Sequence, residues 1–197
     1  MLSIHAFWFG EGVLYSPSEI EKRMVFWFKG NKQTDELIRK SFSEKVENAL
    51  LGKLDFWLED SLGTLSLIIL LDQFTRNLYR DTPRAFSGDS FALYASLQGI
   101  DNKIDETLSP IERVFFYLPL EHSEDIHIQN LSMNHFHELR TEVSSEYKNI
   151  IEGCYSWAEK HYEIIKEFGR FPHRNKILGR PSTKEELELL KDSPNPF

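Results

Sequence analysis

The chain has 197 residues, with 23 Lys+Arg against 31 Asp+Glu, a formal net charge of −8 and 41% hydrophobic residues. That is enough apolar material for one well-buried domain and too little for two; the acidity argues against the broad positive surfaces that nucleic acids and anionic membranes require. A single cysteine, Cys154, excludes an intramolecular disulfide and any structural zinc site built from several thiolates.

The N-terminal MLSIHAFWFGEG lacks a basic n-region and a small-residue cleavage site, so it is not read as a signal peptide. SPSEIEKRMVFWF opens with Ser16 as N-cap, Pro17 at the first helical position and Glu19 closing a capping box. TDELIRKSFSEKVENALLG places Leu37, Ile38, Phe42, Val46, Ala49 and Leu50 on one face and stops at Gly52. LGTLSLIILLDQFTRNLY is apolar almost all round until Asp72, the mark of a central, buried helix. Its apolar run at 67–71 is far short of the ~20 residues a membrane span needs. SGDSFALYASLQG follows, and SPIERVFFYL repeats the capping box with Ser109, Pro110 and Glu112. Pro119 is expected to end that helix, crowding Glu121, His122, Glu124 and Asp125 at the start of HSEDIHIQNLSMNHFHEL.

SSEYKNIIEGCYSWAEKHYEIIKEFG is a long helix ending at Gly169, with Cys154 expected as a small buried hydrophobe beside Ile150, Ile151, Trp157 and Ala158. STKEELELL uses Ser182 and Glu185 as a third box, and residues 192–197 are expected to fray. No run alternates around Asn-Gly or Asp-Gly turns as a β-meander does. The aromatics of AFWFG and VFWF are expected in the core rather than at a dimer interface. The reading is a single all-α domain over 1–197, with about eight helices packed as hairpins, in a soluble, cytoplasmic protein.

Three stretches carry candidate chemistry. In DQFTRNLYRDTPRAF, Asp72, Arg76 and Arg80 stand four apart and line one stripe of a helix. Charges leaving a buried helix must be paired or hydrated. Either an Asp–Arg pair locks neighbouring helices, or the arginines hold an anionic ligand in bidentate fashion. In LPLEHSEDIHIQ, His122 beside carboxylates suits a general acid–base role. No HExxH or comparable spacing joins Glu121, His122 and Asp125 with His135 and His137, so neither a metal nor a cofactor is expected. The third stretch, GRFPHRNKILGR at 169–180, holds Arg170, His173, Arg174, Lys176 and Arg180 and no acid. Pro172 and Gly179 make it a rigid loop, which either presents recognition groups or clamps earlier helices and the acids near residue 121. Six of the ten arginines fall in the first and third stretches, so these and the acid–histidine stretch are expected to meet in space.

LLDQFTRNLYRDTPRAFSGD, FFYLPLEHSEDIHIQ and FGRFPHRNKILGRPSTKEE resemble the three signature blocks of the bacterial "domain of unknown function 924" family. FWFG and LDFW fit the same family, so the resemblance covers nearly the whole chain. It implies an all-α, tetratricopeptide-like superhelical arrangement and names no activity. The matching positions include Asp72, Arg76, Asn77 and Arg80, then His122 and Glu124, then Arg170, His173, Arg174, Asn175 and Arg180. Thr75 stands where the family usually has proline, and Glu121 where methionine is common; Glu121 is expected to weaken anion binding or to raise the pKa of His122.

The functional expectation is a binding module. Asp72, Arg76, Asn77, Arg80, Glu124, Arg170, Arg174, Asn175 and Arg180 would hold an anionic small molecule or an acidic peptide. The alternatives are an enzyme using His122 or His173 as acid–base on an anionic substrate, and a structural polar network with no ligand.

Overall fold

Across the residues that the computed structural model describes, 1–10 and 16–192, there are ten helices and no strand. In chain order they are α1 (Leu2–Phe9), α2 (Pro17–Phe28), α3 (Lys32–Leu50), α4 (61–78), α5 (Asp89–Asp101), α6 (Pro110–Glu121), α7 (Ile126–Glu142), α8 (Lys148–Phe168), α9 (Asn175–Leu178) and α10 (Lys184–Asp192). The fold is all-α, as the sequence led us to expect, with two helices more than the tally. α1 carries no cap signal and is apolar all round, burying Ile4, Trp8 and Phe9, so it shows no stripe. α9 is a single turn. The fraying expected at 192–197 lies almost wholly outside the described residues. Among the described residues no helix is long and apolar enough to cross a membrane.

α4 is the axis of the core. Leu65, Leu67, Ile68, Ile69, Leu70 and Leu71 are completely buried, each worth roughly 1.5–3 kcal/mol of apolar transfer. α4 packs against α1, α3, α5 and α6, while α6 with α7 and α7 with α8 form successive pairs. The N-terminal aromatics join this core, with Phe7 edge-on to Phe42 and Phe74, and Trp8 edge-on to Phe115. Midway along, α4 changes winding: Ser61–Ile68 is α-helical, Ile69–Phe74 is a π-helical segment, and Thr75–Leu78 closes as an α-turn. Such widened turns recur at functional sites, and Asp72 sits in this one.

The helix ends follow the sequence in part. The capping box at Ser109 and Glu112 forms, with Ser109 N–H donating to Glu112 at 2.8 Å. At α2, the Ser16 hydroxyl meets the side chains of Ser18 and Glu19 and caps no backbone group. At α10 the box is shifted by one residue: Thr183 N–H donates to Glu186 at 2.7 Å, and Glu186 N–H to Thr183 Oγ1 at 3.2 Å. Ser182 instead accepts from Asn175, and Glu186 is drawn in by Arg170. Pro119 does not end α6 but lies inside it, so Glu121 closes α6, His122 is its C-cap, and Asp125 caps α7 by accepting from His127 N–H at 2.7 Å. Gly169 ends α8 in the left-handed region, at φ 68°.

One close approach positions the site. A Cβ on Gly88 would lie 2.2 Å from the Leu71 carbonyl oxygen. Only glycine lets the 83–88 turn lie directly on α4, which brings Phe86 and Asp89 over Arg76.

Candidate functional site

The polar site is built outward from Asp72, whose side chain is fully buried. His122 Nδ1 lies 2.7 Å from Asp72 Oδ1, and Gln73 Nε2 donates to Oδ2 at 2.6 Å. Burial alone would raise the pKa of this carboxyl. Arg76, His122 and the two hydrogen bonds outweigh it and hold the group well below the ordinary carboxylate range. Asp72 is therefore ionised, His122 Nδ1–H donates to it, and Nε2 of His122 carries the lone pair.

Arg76 reaches from the next turn of α4. Its Nη1 donates to the Asp72 carbonyl at 2.6 Å, and the guanidinium grips Asp89 at 2.8 and 3.1 Å. Arg174 approaches the same Asp89 from the C-terminal loop, but only to 3.6 Å. Its guanidinium carbon stands 4.8 Å from the Phe86 ring centre and 4.4 Å from that of Phe171. The Arg174 side chain is only 8% exposed, and its Nε is buried without a hydrogen-bond partner among the described residues. Burial, and next the charge of Arg76, push its pKa down to about 10.

Around these groups lies a pocket of about 240 Å³, lined by Arg76, Arg80, Phe86, His122, His161, His173 and Arg174 among others. Three histidines and three arginines thus share one small space. Burial lowers the pKa of His122 below its ordinary value despite Asp72, so the Glu121 effect expected from the sequence does not decide it. Burial, then Arg174 and His161, drive His173 down to about 3, so it is a neutral group at physiological pH. His161 Nδ1–H donates to the Trp157 carbonyl at 2.9 Å, and the same nitrogen stands 2.9 Å from Glu121 Oε1. His122 and His161 thus each have a carboxylate beside Nδ1, and their ring centres are 6.0 Å apart. Among the described residues no three His, Cys, Asp or Glu side chains are grouped to hold a metal ion.

The sequence-derived candidates divide by position. Asp72, Arg76, His122, His173 and Arg174 come together in this pocket or directly behind it. Arg80 reaches its rim, but pairs with Asp35 at 2.8 Å, which also accepts from Asn77. The other four build a clamp around the Phe171 backbone. Arg180 holds Glu124 at 2.5 and 2.9 Å, Glu124 accepts from Phe171 N–H, and Arg180 donates to Asn175. Asn175 and Arg170 converge on the buried Glu186, with Arg170 at 2.6 and 2.9 Å. This network fixes the loop that carries His173 and Arg174.

Sequence reasoning missed Asp89, Phe86 and His161 as members of the site. Asp89 reads as an ordinary first-turn acid of α5. His161 did leave a signal: it occupies the buried stripe Ile151, Cys154, Ala158 and Ile165 of α8, where an apolar residue belongs.

Comparison with other proteins agrees with this architecture. A solved structure from Agrobacterium tumefaciens, described as a protein of unknown function, is 35% identical. The similarity covers 85% of this chain and 89% of that one, with a TM-score of 0.75. No curated protein matches. The family described as "Bacterial protein of unknown function (DUF924)" matches residues 4–194, and the chain belongs to that family.

Proposed function

We propose that the pocket around Arg174 binds a small molecule through a carboxylate or phosphate group. The observation that supports this is the state of Arg174: a buried guanidinium, stacked between two aromatic rings, with no hydrogen bond from its Nε among the described residues and only a 3.6 Å approach to an acid already taken by Arg76. Buried arginines are ordinarily satisfied through several donors. An anion at this point would accept from Arg174 and share the field of Arg76. Nε2 of neutral His122 would accept from any hydroxyl the ligand carries. The pocket's volume of about 240 Å³ favours a small molecule over an acidic peptide, for which a tetratricopeptide-like superhelix would have to offer an open concave face. On this reading Glu124, Arg170, Asn175 and Arg180 position the ligand loop without touching the ligand.

Isothermal titration calorimetry with inorganic phosphate and with acetate tests the proposal. The wild type should bind at least one of them, and Arg174→Gln should bind at least tenfold more weakly. Absence of heat for both anions in the wild type would sink it.

A second reading, acid–base catalysis on the bound anion, is favoured by the Asp72–His122 pair. An ionised carboxylate at Nδ1 fixes the tautomer and leaves Nε2 as the basic atom, while His173 is too weakly basic to serve. His122→Ala should then abolish turnover across anionic esters and amides while anion binding persists.

A further inference from the structure

A second cavity, of about 520 Å³, lies between α2, α6, α7 and α8, lined by Met24, Val25, Phe28, Leu118, Phe136 and Cys154 among others. Its walls are chemically the opposite of the first. Besides Lys29 and Glu121, its polar lining consists of His122 and His161, and Glu121 is already engaged by His161. Cys154 adds no charge, since burial, and next Glu121, push its thiol up to about 12. His122 and His161 line the polar pocket as well, so one imidazole pair borders both an apolar chamber and a cationic one.

This arrangement constrains what fits. A chamber with so few hydrogen-bonding groups takes hydrocarbon, and its polar end is the end at which Arg174 and Arg76 stand behind the histidines. At the outer end, Val25, Phe28 and Trp157 are 57%, 50% and 42% exposed. Large apolar residues grouped at a cavity mouth mark a binding surface more often than idle surface.

We infer that the two chambers take the two ends of one ligand, a single-chain amphiphile with a carboxylate or phosphate head at Arg174 and a hydrocarbon chain in the cavity of α2, α6, α7 and α8. The inference rests on the anion reading of the polar pocket and adds the class of molecule attached to the anion. His122 and His161 then meet the ligand at the junction of head and chain, and Val25, Phe28 and Trp157 ring the far end of the chain.

The test is a calorimetric series of acetate, butyrate, hexanoate and octanoate, with octyl phosphate and octanol alongside, against wild type, Arg174→Gln and Val25→Asp. Affinity should climb about fourfold for each added methylene while the chain is being buried. Comparison of octanoate with octyl phosphate assigns the head. Octanol should bind at least tenfold more weakly than the better of the two. Val25→Asp, a change at an exposed position that folding tolerates, should weaken octanoate at least tenfold, and Arg174→Gln should weaken the short and long acids alike. Octanoate binding no tighter than acetate overturns the amphiphile while leaving the anion reading in place. Failure of phosphate and all the acids overturns both, and octanol binding as well as octanoate overturns the placement of the head.

Discussion

Replacing Arg174 with methionine separates a ligand-binding arginine from an internal strut. Methionine keeps much of the side-chain volume and can remain against Phe86 and Phe171, but it removes the charge. The drop of the Arg174 pKa from 12.5 to about 10 corresponds to about 3 kcal/mol by which the fold disfavours the charged form. The side chain is only 8% exposed, so solvent screening reduces this little. Against that relief stands the loss of two desolvated cation–π contacts, at about 2 kcal/mol each, of which methionine sulfur against the same rings returns roughly 0.3–1.5 kcal/mol each. The net expectation is that Arg174→Met is as stable as wild type or more stable by up to about 2 kcal/mol in the absence of any anion.

At roughly 2–4 °C per kcal/mol for a chain of this size, the melting temperature should hold or rise by up to several degrees. The sign with pH is also fixed. The folded pKa is lowered, so the penalty of the guanidinium itself changes only near pH 10 and above, and the difference between variants should be flat from about pH 7 to 9, above the range in which His173 responds to Arg174. Urea unfolding at two pH values in that window, with and without phosphate, reads all three expectations. Phosphate should stabilise the wild type and leave the methionine variant unmoved. A variant that loses 1 kcal/mol or more without ligand would refute the reasoning, because Arg174 would then be holding the fold together.

His173 gives an acid-side signature. Its folded pKa of about 3 lies below the unfolded 6.5, so its contribution is present above pH 6.5 and is lost as pH falls towards 3, reaching about 2 kcal/mol at pH 5. The stability of His173→Gln should therefore fall by about 2 kcal/mol less than that of wild type between pH 7.5 and 5; identical pH profiles would contradict the buried neutral imidazole. Gly88→Ala should cost about 2–3 kcal/mol, because the new methyl would lie 2.2 Å from the Leu71 carbonyl oxygen. An unchanged urea midpoint would show that the 83–88 turn does not rest on α4.

Much of the fold was legible because it is governed by local chemistry. The apolar run of α4, the Ser109–Glu112 box and the Gly169 stop are properties of a few adjacent residues. The site was legible only where helical spacing persisted. Asp72 and Arg76, four apart, do meet at 3.4 Å. Arg80 does not continue the stripe, since α4 ends at Leu78 and the chain turns, sending Arg80 to Asp35. The π-helical turn at Ile69–Phe74 carries no letter pattern of its own. Asp89 and Phe86 join the site through the tertiary approach at Gly88, which no local rule specifies. The division of the basic loop is also tertiary: Arg170, Asn175 and Arg180 share donors and acids with one another, while Arg174, in the same twelve residues, faces the pocket.

The claim at the centre of this account is that Arg174 is held ready for an anion from outside. Selenate, a tetrahedral oxyanion with a strong anomalous signal, tests it most directly in crystals of wild type and Arg174→Gln soaked in parallel. An anomalous peak is expected in the pocket, its oxygens within hydrogen-bond distance of the Arg174 guanidinium, and no such peak in the variant. A pocket without selenate at concentrations that saturate calorimetric binding, with Arg174 hydrogen-bonded to Asp89 instead, would contradict it.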